Sequence, residues 1–62
     1  MIVTTLTSSD GLEFKARSEA LLTAEEIREW ERDITWDTEE LVAFDESSGE
    51  RFSYTNGEWI KV

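Results

Sequence analysis

Cysteine, histidine and proline are missing from this chain, and glycine occurs three times in 62 residues. Without cysteine there is no disulfide framework and no thiolate metal ligand. Without histidine there is no imidazole acid or base, and no His-activated serine or cysteine nucleophile. Basic residues are scarce as well: six against fifteen acids, for a formal net charge of −9 and an isoelectric point near 4.2. A surface of that sign repels nucleic acid and anionic membranes, so neither is expected as a direct partner. Long apolar runs are also lacking. The longest, residues 41–44, is far below the roughly 20 residues that span a bilayer, and Met1-Ile2-Val3 leads into threonines instead of a signal core. These absences lead us to expect a cytoplasmic protein with no membrane partner.

What is present argues for a folded domain. Hydrophobic residues make up 39% of the chain and aromatics 11%, including three tryptophans and three phenylalanines, which is not the composition of a disordered segment. Residues 1–62 are read as one domain, and a chain of this size buries only about 60% of the surface its unfolded form exposes. A deep active site is not expected.

The first sixteen or so residues alternate with the period of a strand. Ile2, Thr4 and Leu6 oppose Val3, Thr5 and Thr7, while Leu12, Phe14 and Ala16 oppose Glu13, Lys15 and Arg17. A three-residue loop, Ser9-Asp10-Gly11 with Gly11 left-handed, sets Leu6 opposite Phe14. A two-residue turn would set Leu6 opposite Lys15 and break the apolar face. The same reasoning applied downstream predicts a three-residue loop, Ser47-Ser48-Gly49, that pairs Phe44 with Phe52, Val42 with Tyr54 and Asp45 with Arg51. At Asn56-Gly57 two registers compete. A two-residue turn pairs Tyr54 with Trp59, and a three-residue loop pairs Phe52 with Ile60.

Between the hairpins, Thr23 and Glu26 have the spacing of a capping box, with Leu22 and Ile27 as a hydrophobic staple around it. The helix is predicted to start near Ala24 and end near Thr35, with Ile27, Trp30 and Ile34 on the face toward the sheet. The resulting fold class is α+β, in the order β-β-α-β-β-β, with one helix packed on an antiparallel sheet.

Charge is distributed unevenly along this order. Residues 19–50 hold twelve acids against Arg28 and Arg32, and the flanking segments are nearly neutral. With the apolar stripe facing inward, Glu25 and Glu29 point away from the sheet, and Glu26 and Asp33 lie on the flanks. Glu25 and Glu29 are like charges at i,i+4, a mildly destabilising arrangement that Arg28 and Arg32 are expected to offset in part. Two carboxylate clusters, residues 33–39 and 45–50, lack the EF-hand pattern, so no metal or other cofactor is expected. Glu39 and Glu40, adjacent on a strand, face opposite sides and do not form an acid/base pair. No catalytic residue is assigned, and a non-enzymatic protein is expected.

The expected function is therefore attachment to a basic surface of a partner protein through Glu25, Glu26, Glu29, Asp33, Trp36, Asp37, Glu39 and Glu40. Trp36 enters this set as an aromatic anchor if its indole is exposed; the alternative folds it under the sheet edge. One specific version is a nucleic-acid mimic of phage or mobile-element origin that inhibits a nucleic-acid-binding protein. The alternative is a small structural or assembly subunit that pairs through a sheet edge or an exposed tryptophan, its acidity serving solubility alone.

Overall fold

Two short-range devices in the sequence, the first turn and the capping box, set most of the architecture. The structure is a computed structural model and describes residues 1–34 and 37–62. It consists of β1 (Ile2–Ser8), β2 (Glu13–Ser18), α1 (Ala24–Ile34), β3 (Thr38–Asp45), β4 (Arg51–Thr55) and β5 (Glu58–Lys61). The strands form one antiparallel sheet in the order β2-β1-β3-β4-β5, and α1 covers one face of it. This is the α+β arrangement expected from the sequence, with its elements in the same order.

The first hairpin has the expected register. Leu6 lies opposite Phe14, and Gly11 takes φ 89°. The Ser8 N–H donates to Leu12 O at 2.9 Å and the Gly11 N–H to Ser8 O at 3.0 Å, which closes the loop over Ser9, Asp10 and Gly11. Leu12, placed on the inner side by the alternation, lies just outside β2 and is 56% exposed.

The helix starts where the capping box puts it. Glu26 N–H donates to Thr23 Oγ1 at 3.2 Å, and Thr23 N–H donates to Glu26 Oε1 at 2.9 Å, so each side chain satisfies a backbone donor that the first turn leaves open. Ile27 is 2% exposed and forms the core with Leu6 and Leu41; Phe14, Leu22, Trp30, Ile34, Tyr54 and Trp59 pack around them. Trp59 meets Tyr54 edge-on with ring centroids 5.0 Å apart, and its indole N–H donates to Leu22 O at 2.9 Å. That bond ties the last strand to the segment leading into α1.

The second hairpin differs from the expected one. Its loop has four residues, 46–49, and β3 pairs with β4 as Val42 with Ser53, Ala43 with Phe52 and Phe44 with Arg51. The expected pairs Phe44–Phe52, Val42–Tyr54 and Asp45–Arg51 are each displaced by one residue. Leu41 and Ala43, paired with the buried Leu6 and Thr4 of β1, are the buried residues of β3, and Phe44 is 39% exposed on the other side; the shift sets Phe52 beside Ala43 on the α1 face. The cause is the chemistry of the turn. Asp45 is taken up inside it: its Oδ1 accepts from Ser47 N–H at 2.9 Å, and its carbonyl accepts from Gly49 N–H at 2.7 Å. Glu46 is drawn into the loop and donates its N–H to Met1 O at 3.0 Å. These bonds outweigh the aromatic and charge pairs on which the shorter loop was based. The left-handed glycine is nonetheless where it was expected, Gly49 having φ 78°.

The third reversal takes the two-residue form, with φ 52° at Asn56 and 80° at Gly57, and pairs Tyr54 with Trp59. Positive φ at both central residues is the signature of a type I′ turn. Ile60 therefore faces away from α1.

Candidate partner-binding surface

On α1 the period of the helix decides which carboxylates reach solvent. With Ile27 buried and Trp30 and Ile34 half-buried toward the sheet, Glu25, Glu26, Glu29 and Asp33 are all exposed, and Glu31, which was not assigned to the site from the sequence, is half-exposed. The helix thus carries five acids in eleven residues against Arg28 and Arg32. Among the described residues no ion pair within 4 Å involves α1, so the expected offset of Glu25 by Arg28 and of Glu29 by Arg32 is not formed as contacts. Only Glu26 has a structural duty, its role in the cap. Glu25 and Glu26 lie in the first turn, where the helix dipole favours negative charge. Glu29, Glu31 and Asp33 gain little from it.

Beyond the helix the assigned residues diverge. Trp36 lies outside the described residues. Asp37 is exposed and serves the first loop: its carbonyl accepts from Ser9 N–H at 3.1 Å, and its carboxylate accepts from the Ser9 hydroxyl. Glu40 is paired with Thr7, whereas Thr38 is paired with Ser8, so Glu39 is an extra residue between two consecutive partners on β1, a bulge. Glu40 is on the same side as Val42 and Phe44, the face of the sheet opposite α1. The structure therefore brings Glu25, Glu26, Glu29 and Asp33 together on one helix and puts Glu40 on the far side of the molecule.

Further negative charge is held at the β3–β4 turn. The Asp45 carboxyl is kept below the usual aspartate range, chiefly because the Ser47 N–H bonds to its charged form. Glu50 is likewise lowered by its bond with the Lys61 ammonium, assisted by Ser48. Among the described residues no three carboxylates converge as metal ligands, no cavity opens, and no helix is long and apolar enough to cross a membrane.

The sheet edges show what could pair with another strand. β2 carries Glu13, Lys15 and Arg17 as its exposed residues, and β5 has four residues. A charged edge and a short edge both discourage strand addition. Comparison with known proteins adds no constraint: no protein family, no curated protein and no solved structure matches this chain.

Proposed function

We propose that this protein is a non-enzymatic binding module whose acidic helix docks on a basic surface of a partner protein. The observation that carries this reading is the set Glu25, Glu29, Glu31 and Asp33, four carboxylates on one short helix that make no ion pair and no capping bond among the described residues. Their mutual repulsion works against the helix by a few tenths of a kcal/mol per like-charged pair. Apart from the dipole's favour toward Glu25 the fold gains little from them, and a basic partner would gain more. In its specific form the partner is a nucleic-acid-binding protein, and the helix takes the place of a phosphate backbone; phage or mobile-element origin belongs to that form.

The test is affinity capture with the tagged chain, run in parallel with Glu25→Lys, Glu29→Lys and Asp33→Lys combined, followed by association kinetics on the captured protein. Association is expected to slow steeply as salt rises and the Debye length contracts from about 10 Å toward 3 Å. It is also expected to slow in the triple variant without loss of folding, because peripheral charges act mainly on the encounter rate. Salt-insensitive association that survives the three reversals would reject the reading.

A further inference from the structure

The sheet face opposite α1 has no covering element, and its pattern differs from the rest of the molecule. Strand alternation and the observed pairings order its side chains in three rows across the strands. The first row runs Arg17, Val3, Phe44, Arg51, with Val62 following through its N–H bond to Arg51 O at 3.0 Å. The second runs Lys15, Thr5, Val42, Ser53, Ile60. The third contains Glu13, Thr7 and Glu40 on β2, β1 and β3, then Thr55 and Glu58 on β4 and β5. Five large hydrophobic side chains are exposed among the described residues. Phe44 at 39%, Ile60 at 50% and Val62 at 85% belong to this face, as does Met1 by the same alternation. Its strand residues hold three acids and three bases, so the whole net charge of −9 resides elsewhere.

We infer that this face binds a second copy of the chain, sheet face against sheet face, about a two-fold axis that runs across the strands through the second row. That axis reverses the strands of one copy relative to the other and sets the first row over the third. Arg17 then lies over Glu13 of the other copy, and Arg51 lies between Glu40 and Glu58 of the other copy. Each contact occurs twice, as an isologous interface requires. Val42 and Ile60 meet their own counterparts at the axis, and Phe44 packs beside them; Lys15 also falls on the axis, at the edge strand, where its long side chain extends into solvent away from its counterpart. The other two-fold arrangement, with the axis along the strands, sets the acidic row over itself and is repulsive. A face that carries both a basic row and its acidic complement is matched by its own copy, and a foreign partner would have to reproduce both rows.

The dimensions agree with this. Five strands about 4.8 Å apart and three rows about 6.8 Å apart give roughly 500 Å² in projection. Side-chain relief raises the accessible area of the patch toward the ~800 Å² per partner of a standard interface. The product is a two-layer sandwich, a packing in which the mean strand directions differ by about 30°. Its two acidic helices lie on opposite outer sides, where each remains open to a partner.

The experiment is sedimentation equilibrium of the full chain from micromolar to millimolar concentration, with circular-dichroism melts of every variant. The wild type is expected to be a reversible dimer. Arg51→Glu and Glu40→Arg are each expected to weaken dimerisation about tenfold or more, and the two combined to restore most of what each loses. Within one chain Arg51 pairs with Phe44, four residues from Glu40 and about 13 Å away along the strand, so rescue has to come from the other copy. Val42→Asp sets two carboxylates together at the axis and is expected to abolish the dimer. If an Arg51 or Glu40 variant fails to fold, Arg17→Glu with Glu13→Arg provides a second swap at the edge strand, with rescue read against Arg17→Glu alone because that change also removes the 3.5 Å ion pair of Arg17 with Glu46 within the chain. A wild type that stays monomeric throughout overturns the proposal, as does a dimer indifferent to the reversals; single losses without rescue overturn the strand-reversed arrangement.

Discussion

The two hairpins flanking the helix use nearly the same turn residues, Ser8-Ser9-Asp10-Gly11 and Ser47-Ser48-Gly49, yet they differ by one residue in loop length. In the first, the aspartate is next to the glycine, and its carboxylate accepts from the Ser8 hydroxyl while the chain reverses over three residues. In the second, the aspartate stands ahead of the serines and accepts from the Ser47 backbone, which draws Glu46 into the loop. Moving one capping side chain from the end of a turn to its beginning changes the loop by one residue. In a sheet with side-chain period two, one residue exchanges the faces of a strand. The position of an aspartate thus decides that Phe52 and Tyr54 share the α1 face with Leu41 and Ala43, whose own direction is set by their pairing with β1. The cross-strand preferences of the side chains would have decided the reverse.

The largest effect that tests this comparison is core truncation on either side of β3. Leu41, 5% exposed and in contact with Leu6 and Ile27, should lose about 3 kcal/mol on Leu41→Ala, the middle of the range for a buried leucine. Phe44→Ala should cost under about 1 kcal/mol, since the ring is 39% exposed and has the Arg51 guanidinium carbon 5.8 Å from its centroid as a neighbour. A domain of this length has roughly 3–9 kcal/mol of total stability, so the leucine variant would be close to unfolding while the phenylalanine variant melts cooperatively. Urea melts of the two variants make the comparison. If the costs came out in the opposite order, Phe44 would be in the core and the pairing of Leu41 with Leu6 that sets the direction of β3 would be wrong.

The same contrast explains how much could be read in advance. β1 and β2 alternate cleanly, and only one register keeps Leu6 opposite an apolar residue, so the first hairpin was legible down to its pairings. The capping box was legible because Thr23 and Glu26 satisfy each other within one turn, independent of tertiary structure. β3 offers no such alternation: Leu41, Val42, Ala43 and Phe44 are apolar on both faces, and the period-two signal vanishes where it was needed. Size and charge matching then favoured Phe44 with Phe52 and Asp45 with Arg51, and the backbone bonds of Asp45 lay outside that comparison. In the candidate surface, the four helix carboxylates were placed outward by helical period alone. The position of Glu40 depends on the β3 register and on the bulge at Glu39, neither of which leaves a local mark. The open face, with its three rows, becomes visible only once that register is known. One inward residue did follow from alternation. Thr4 is fully buried between Ala16 and Ala43, and its hydroxyl has no hydrogen-bond partner among the described residues.

A smaller effect comes from the glycines that close the two loops. Gly11 and Gly49 have φ of 89° and 78°, and a methyl group added at either would meet no atom within 4 Å. The cost of Gly11→Ala or Gly49→Ala is therefore conformational rather than steric, about 1 kcal/mol at each position, as expected for an L-residue held in left-handed backbone. Near-equal losses in two loops of unequal length would show that both depend on the same backbone state. Ser9→Ala and Ser48→Ala provide the reference and should cost less, since they remove hydrogen bonds exposed to solvent and leave the backbone conformation unstrained. Four equal costs would remove the left-handed glycines from the account of either turn.

The smallest expected effect concerns the side chain that makes the hairpins differ. The folded state holds the Asp45 carboxyl below its ordinary pKa, mainly through the Ser47 N–H. A depressed folded pKa contributes stability that is fully present above the unfolded value, about 3.9, and is lost as pH falls through the folded value. Asp45→Asn keeps an oxygen that can accept from Ser47 but removes the titration. At neutral pH the variant should therefore be slightly less stable than wild type, by less than the glycine variants, because an amide oxygen accepts more weakly than a carboxylate. As pH falls from neutral through the unfolded value and below it, its stability should fall less steeply, and the two curves should converge. Asp10→Asn, in the first turn, is the control. Its partner is the Ser8 hydroxyl, not a backbone donor, so it should leave the second loop unchanged. Thermal melts across that pH range decide the matter: parallel curves for wild type and Asp45→Asn would mean that the carboxylate does not hold the four-residue loop, and the lengthening of the second hairpin would need another cause.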